Sequence, residues 1–425
     1  MLNRFFCALF AMAVLSASAN SESLDGKSIL LQAGEHTSVD VPVSIPFDGE
    51  LKEGEVVRLV QSKTAKEFAG TLRNGELTFV PEGALPGSEH LFAVKVQKDN
   101  VPPRVLAKKR ENENAIDITI DDVPFTTYWY PKDAKKPYLW PVLSDGEVPV
   151  TRAFPMGEKE ETNDHPHHRS FWSAYGNVNG ADCWGEGGNS GFQETNEVTY
   201  GSGDAYGWVL AKNTWTDKDH NPVCLEEREY RFYPGKKEAR LVDVRVKFIP
   251  IDRDVTFTDT KEGGIVSFRM RDSMTEKAGK GGIITNADGK TGMAETWGKP
   301  SAWCDYTGPI EGAGMHGVTV FDNPANLRYP TTWHVRDYGL MGANCFGYAD
   351  FTQKKENGDH VIKNGEPLTF NYRIFVHRGD VNAAKVADRY ADYINPPKVS
   401  WSNVPLNAVG IKKTVNIEGH EKANP

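Results

Sequence analysis

Apolar and charged residues alternate along Ala239–Ile249: Val242, Val244, Val246 and Phe248 fall on one side, Asp243, Arg245 and Lys247 on the other. Successive side chains of a strand point to opposite faces, so this spacing predicts a strand with one buried and one wet face. Further extended runs lie at Ala115–Ile120, Pro124–Tyr130, Glu229–Tyr233, Gly317–Phe321 and Leu368–Val376. Helical spacing is confined to Val381–Ile394, where Ala383, Ala384, Val386, Ala387, Tyr390 and Tyr393 recur, with Asp380 as N-cap and Pro396-Pro397 as stop. The pattern predicts an all-β protein whose main body, residues 115–397, is a large antiparallel β-sandwich with one C-terminal helix. Short extended runs at Ser28–Leu31, Ser38–Val43, Glu55–Val60, Glu76–Val80 and His90–Val96 predict a small Ig-like β domain over residues 24–108. Residues 97–114, rich in Lys, Arg, Asn, Glu and Pro, read as a linker, and residues 398–425 as a C-terminal tail.

Composition narrows the class. The chain of 425 residues has a net charge of -9, so it carries no basic footprint for nucleic acid. Residues 1–19 have the form of a secretory signal: Arg4, an apolar run from Phe5 to Leu15, then Ala17-Ser18-Ala19 as a cleavage site. The expected location is therefore periplasmic or secreted. No later run reaches the roughly 18 apolar residues of a spanning helix, so no membrane span is expected. Past the leader stand Cys183, Cys224, Cys304 and Cys345, whose irregular spacing is compatible with disulfides or with buried thiols. Nothing in the chain points to a protein partner.

The densest chemistry is Asp164-His165-Pro166-His167-His168-Arg169, which holds three of the eleven histidines. Pro166 confines this stretch to an edge strand or a loop. In an extended segment His165 and His167 would point one way and His168 the other. Imidazoles here suit acid–base work near neutral pH, a metal site, or hydrogen bonds to a polar ligand. Lys261-Glu262 before Gly263-Gly264 offers a carboxylate at a strand start, and Glu262 is the candidate base. Along Trp333–Tyr338, strand alternation would set His334, Arg336 and Tyr338 on one face, a wall suited to a carboxylate, a phosphate or a sugar. Trp172 and Trp184 supply flat faces nearby. Gly185–Gly191 reads as a flexible loop at the mouth of the site. Nucleophile-elbow, phosphate-loop, zinc-protease and dinucleotide fingerprints are absent.

Taken together, Asp164–Arg169, Val178–Trp184, Asp259–Gly263, Trp303–Tyr306 and Pro330–Gly339 resemble the motifs of the PmoA-like family over roughly residues 115–397. The resemblance implies a β-sandwich similar to the galactose mutarotase-like supersandwich. Proteins of that architecture act on sugars with a histidine and a carboxylate as acid and base.

The expectation is thus an exported carbohydrate-active protein, an enzyme of hydrolase, lyase or epimerase type. His167 and His334 would be the acid or electrostatic partners and Glu262 the base. His165, His168, Arg169, Trp172, Asn179, Asp182, Trp184, Lys261, Arg336, Asp337 and Tyr338 would contact the sugar or other small polar ligand. No cofactor is called for. One alternative is a metal-dependent enzyme with a divalent metal on His165, His167 and His334, or the methane oxygenase that the PmoA-like label names, which would need a redox metal or cofactor. Another is a non-catalytic sugar-binding protein.

Overall fold

A computed structural model of the chain describes residues 23–99, 101–157 and 161–403. The segment read as a secretory signal, residues 1–19, lies outside the described residues. Among the described residues the regular structure is almost wholly antiparallel strand, as the alternation predicts.

Seven strands near the N-terminus form one sheet around a core of Ile29, Leu31, Val57, Leu59, Leu77, Phe79 and Val94. One of the seven is distant in sequence. Lys398–Ser402, expected to be tail, pairs as an edge strand with Ser28–Gln32. The Trp401 indole donates to the Pro46 carbonyl at 3.0 Å and packs edge-on against Phe47. The segment read as linker is also partly ordered: Val105–Lys109 is the outermost strand of the next sheet, paired with Ala115–Ile120. Unpaired backbone beside a sheet gains by joining it, whatever its composition.

The main body packs a nine-stranded sheet on an eight-stranded one. The eight-stranded sheet includes Ala239–Ile249, paired on either side with Pro222–Phe232 and Leu368–Arg378. Its Val242, Val244, Val246 and Phe248 enter the core, facing Phe171, Phe268, Trp333 and Val335 of the other sheet. The helix occupies Val386–Ile394, shorter than predicted, because Asp380 caps a separate turn by accepting from the amides of Asn382 and Ala383.

The opposite face of the nine-stranded sheet decides where the site is. Cross-strand partners His334–Gly342, Gly342–Ser267, Ser267–Trp172 and Trp172–Tyr138 make one continuous row. Directly paired residues share a face, so His334, Ser267, Trp172 and Tyr138 all project away from the sandwich core. Gly263–Arg269 is nevertheless buried along its whole length, because loops cover that second face.

Candidate functional site

The covering loop is Asp164–Arg169, and arginines hold it down. Arg152 donates to the carbonyls of Asp164 (2.7 Å) and His165 (3.1 Å) and to the Asp164 carboxylate (2.7 Å). Arg269, at the end of its strand, donates to the same carboxylate at 2.6 Å. Both arginines are 1% exposed. Burial works against ionising Asp164, yet Arg269, His165 and Arg152 hold its carboxyl below the ordinary value.

The backbone here turns instead of extending. The His168 amide donates to the His165 carbonyl at 2.9 Å across Pro166-His167, and His165 has a positive φ of 44°. Proline favours the second position of such a turn. All three rings therefore converge, contrary to the alternation expected of an extended segment. His165 lies flat between Tyr338 (4.7 Å) and His168 (4.8 Å), and His168 lies flat on Trp172 (5.3 Å). His167 stands edge-on to His168 at 4.5 Å and to Trp184 at 6.0 Å. Arg269 approaches Nδ1 of His168 at 3.5 Å, so that nitrogen accepts and the ring is neutral.

His334 projects from the strand Trp333–Val335 toward the same cluster, with the Trp184 ring 6.3 Å away. It is 2% exposed, and neither ring nitrogen has a partner. Burial brings it down to about 4, and burial together with Lys136 and His165 does the same for His167. Both imidazoles are neutral at pH 7. Glu262 is the complement. Burial would raise its pKa, but the Lys261 hydrogen bond (2.8 Å) and the proximity of His334 and His167 hold its carboxyl low. An ionised, partly exposed carboxylate thus stands beside two neutral histidines.

After Val335 the strand ends. Arg336–Gly339 is a tight turn closed by Gly339 donating to the Arg336 carbonyl at 3.0 Å. Arg336, Asp337 and Tyr338 therefore do not share a strand face with His334. The turn folds Tyr338 back onto His165 and lays Arg336 over Trp297, 5.5 Å from Cζ to the ring centroid.

Several predicted contacts serve the scaffold instead. Arg169 forks onto Glu186, with Nε to Oε1 at 2.8 Å, and lies over Phe154. Asp182 accepts from the amides of Trp184 and Gly185 and from Ser190, fixing the loop that carries Trp184 and Glu186. Asn179 is exposed and pins its turn to Asp254 and Thr256. The Trp172 face is covered by His168, so it forms floor and cannot stack on a ligand. Asp337 is tied in through its carbonyl, which accepts from Tyr306. The proposed metal set of His165, His167 and His334 is not gathered: His165 is sandwiched between two rings, and no group of three or more His, Cys, Asp or Glu side chains among the described residues is placed to hold a metal. The four cysteines among the described residues are buried free thiols.

Sequence reasoning missed Lys136, Arg152, Glu186 and Arg269. Lys136 is buried, donates to the Trp184 carbonyl, and sits 3.2 Å from Glu186, while burial brings it down to about 8. A charged residue closing the mostly apolar run Ile265–Phe268 was the one available signal for Arg269. A separate cleft of about 260 Å³ beside the eight-stranded sheet is lined by Glu229, Arg231 and Asp243. Its carboxylates are already paired, Asp243 with Arg373 at 2.6 Å and Glu229 with Arg231 at 3.3 Å. Near His334, by contrast, donors stand unspent: Nε1 of Trp184 and Trp297 and Nε of Arg336 are buried without partners.

The fold and site define an all-β sandwich protein with a histidine-rich polar site built on the outward face of one sheet. The chain belongs to a family of unknown function, DUF6807, whose match spans residues 115–391. That assignment corrects the PmoA-like resemblance drawn from the same motifs. No protein of curated function matches the chain. Among solved structures, it is similar to a glycosyl hydrolase family 38 protein from Enterococcus faecalis (11% identity, TM-score 0.43, 88% of this chain and 47% of that one). It is also similar to an alpha-mannosidase from Enterococcus faecalis V583 (11% identity, TM-score 0.38, 88% and 46%). The chain spans about half the length of each. No helix among the described residues is long and apolar enough to cross a membrane.

Proposed function

We propose that the protein, after export, binds a sugar or sugar derivative over His334 and transfers a proton on it, with Glu262 as base. His334 carries this assignment: a 2% exposed imidazole with both nitrogens unpaired. Leaving a buried polar group unpaired costs about 1–3 kcal/mol, which a ligand recovers by bonding to it. A neutral imidazole donates at one nitrogen and accepts at the other, as adjacent sugar hydroxyls do in reverse. The surrounding indole N–H groups add donors on flat rings, which suits a ligand rich in oxygen acceptors.

The protonation states narrow the reaction. Hydrolysis by paired carboxylates needs one held protonated near neutral pH. Asp164, Glu186 and Glu262 are all held below their ordinary values. An ionised Glu262 beside neutral His167 and His334 fits proton abstraction, as in epimerisation or elimination, better than glycoside hydrolysis. Screening a sugar panel by proton-exchange NMR tests this, with Glu262→Gln as control. The variant is expected to bind sugar with near wild-type affinity and to lose turnover by at least about a hundredfold. A wild-type protein that binds sugars and exchanges no proton on any of them would be a binding module instead.

A further inference from the structure

Five cations around the histidine loop have carboxylate partners, and Arg336 does not. Arg152 and Arg269 meet Asp164, Arg169 and Lys136 meet Glu186, and Lys261 meets Glu262. Arg336 has no acidic partner among the described residues. Its Nε is buried and unpaired, and its guanidinium rests over the Trp297 ring. Two residues before it stands His334, close enough for the Arg336 charge to act on its ring. A guanidinium laid on an aromatic face keeps its N–H fork free in the plane, the geometry that matches a carboxylate.

We propose that the ligand of this site carries a carboxylate, as a uronic acid does, and that Arg336 binds it in a two-pronged contact while His334 and the Trp297 N–H take neighbouring hydroxyls. This rests on the sugar assignment of the same site and adds the charge of the ligand. A single negative charge fits better than a phosphate. Glu262 lies close enough to act on His334, as does the Asp350 carboxylate, and a dianion would meet both. A carboxylate neutralised by a cation also acidifies the C–H beside it, so the contact would serve Glu262 as base.

The test is calorimetric titration of the full chain with D-galacturonate and D-glucuronate against D-galactose and D-glucose. A uronate is expected to bind about tenfold or more tighter than its neutral counterpart, the usual worth of a charge-assisted hydrogen bond. Arg336→Gln is expected to erase that margin, read as the ratio of uronate to neutral-sugar affinity within the variant. Arg336→Lys, which keeps the charge and loses the fork, is expected to retain only part of it. Equal affinities in the wild type, or an unchanged margin in Arg336→Gln, would overturn the carboxylate while leaving the sugar site standing. Binding of none of the four sugars would overturn both.

Discussion

The ring of His165 lies flat against the ring of Tyr338, with 4.7 Å between centroids and 14° between planes. The first sits on the loop held by Arg152 and Arg269, the second on the turn that follows His334. Their contact locks two parts of the site together, and Arg269 adds a cation–π contact to Tyr338 at 4.8 Å. Tyr338→Ala is expected to cost about 1–2 kcal/mol, read as a fall of roughly 2–4 °C in Tm. Tyr338→Phe keeps both contacts and should melt with the wild type. Equal melting of all three proteins would show that the stack contributes nothing.

Asp164 is the shared acceptor for two arginines that are otherwise buried. Asp164→Asn removes the countercharge and leaves both cations in a low-dielectric setting. Breaking a fully buried pair costs about 3–5 kcal/mol; the partial exposure of Asp164 lowers the expectation to roughly 2–3 kcal/mol, measured by urea unfolding. Because the folded carboxyl titrates below its ordinary 3.8, its stabilisation is present above that pH. It is lost as pH falls through the lower folded value.

The histidines give an acid response of their own. Folding lowers His167 and His334 from 6.5 to about 4, burial being the largest cause. The unfolded chain therefore takes up protons first as pH drops. Stability from these groups is complete above about 6.5 and declines down to about 4. His334→Phe should flatten part of that slope in a pH series of thermal melts. Ligand binding should stay level from pH 8 to 5 and weaken as pH nears 4. A wild-type binding curve with a midpoint near 6.5 would contradict the neutral-histidine assignment.

In the N-terminal sheet, ending the chain at residue 397 removes the edge strand Lys398–Ser402 and the Trp401–Phe47 contact. The seven-stranded sheet should then be cleaved by protease between residues 23 and 99 far sooner than the intact protein, while the sandwich resists. Trp401→Ala alone should cost about 2 kcal/mol through lost apolar burial. Identical digestion patterns would show that this strand is dispensable.

Cys183, Cys224, Cys304 and Cys345 are buried, and burial pushes every one of their thiols up, Cys183 to about 12. A thiol reagent such as DTNB should label none of them in the native protein and all four once urea is added. Rapid labelling of the native chain would mean that a site opens without global unfolding.

Local periodicity by itself determined a good deal. The alternation at Ala239–Ile249 reads directly as a strand of that extent, and the same rule separates His334 from the core residues Trp333 and Val335. The density of histidines at 165–168 marked the candidate site, and Glu262 and His334 were legible as candidates. What spacing could not supply was the partner of each charge. Nothing near Arg169 says that Glu186 will take its fork, and nothing near Asp164 announces Arg269. Any carboxylate satisfies any guanidinium, so only the fold, by bringing distant segments together, decides which pairs form. The same holds for the turns at Pro166 and Arg336–Gly339, which converted two expected strands into converging loops, and for Lys398–Ser402, which became a strand because an open sheet edge offered its hydrogen bonds. Burial encodes a face, and a face can be read locally; pairing is a property of the assembled chain, and it left Arg336 as the site's unpaired cation.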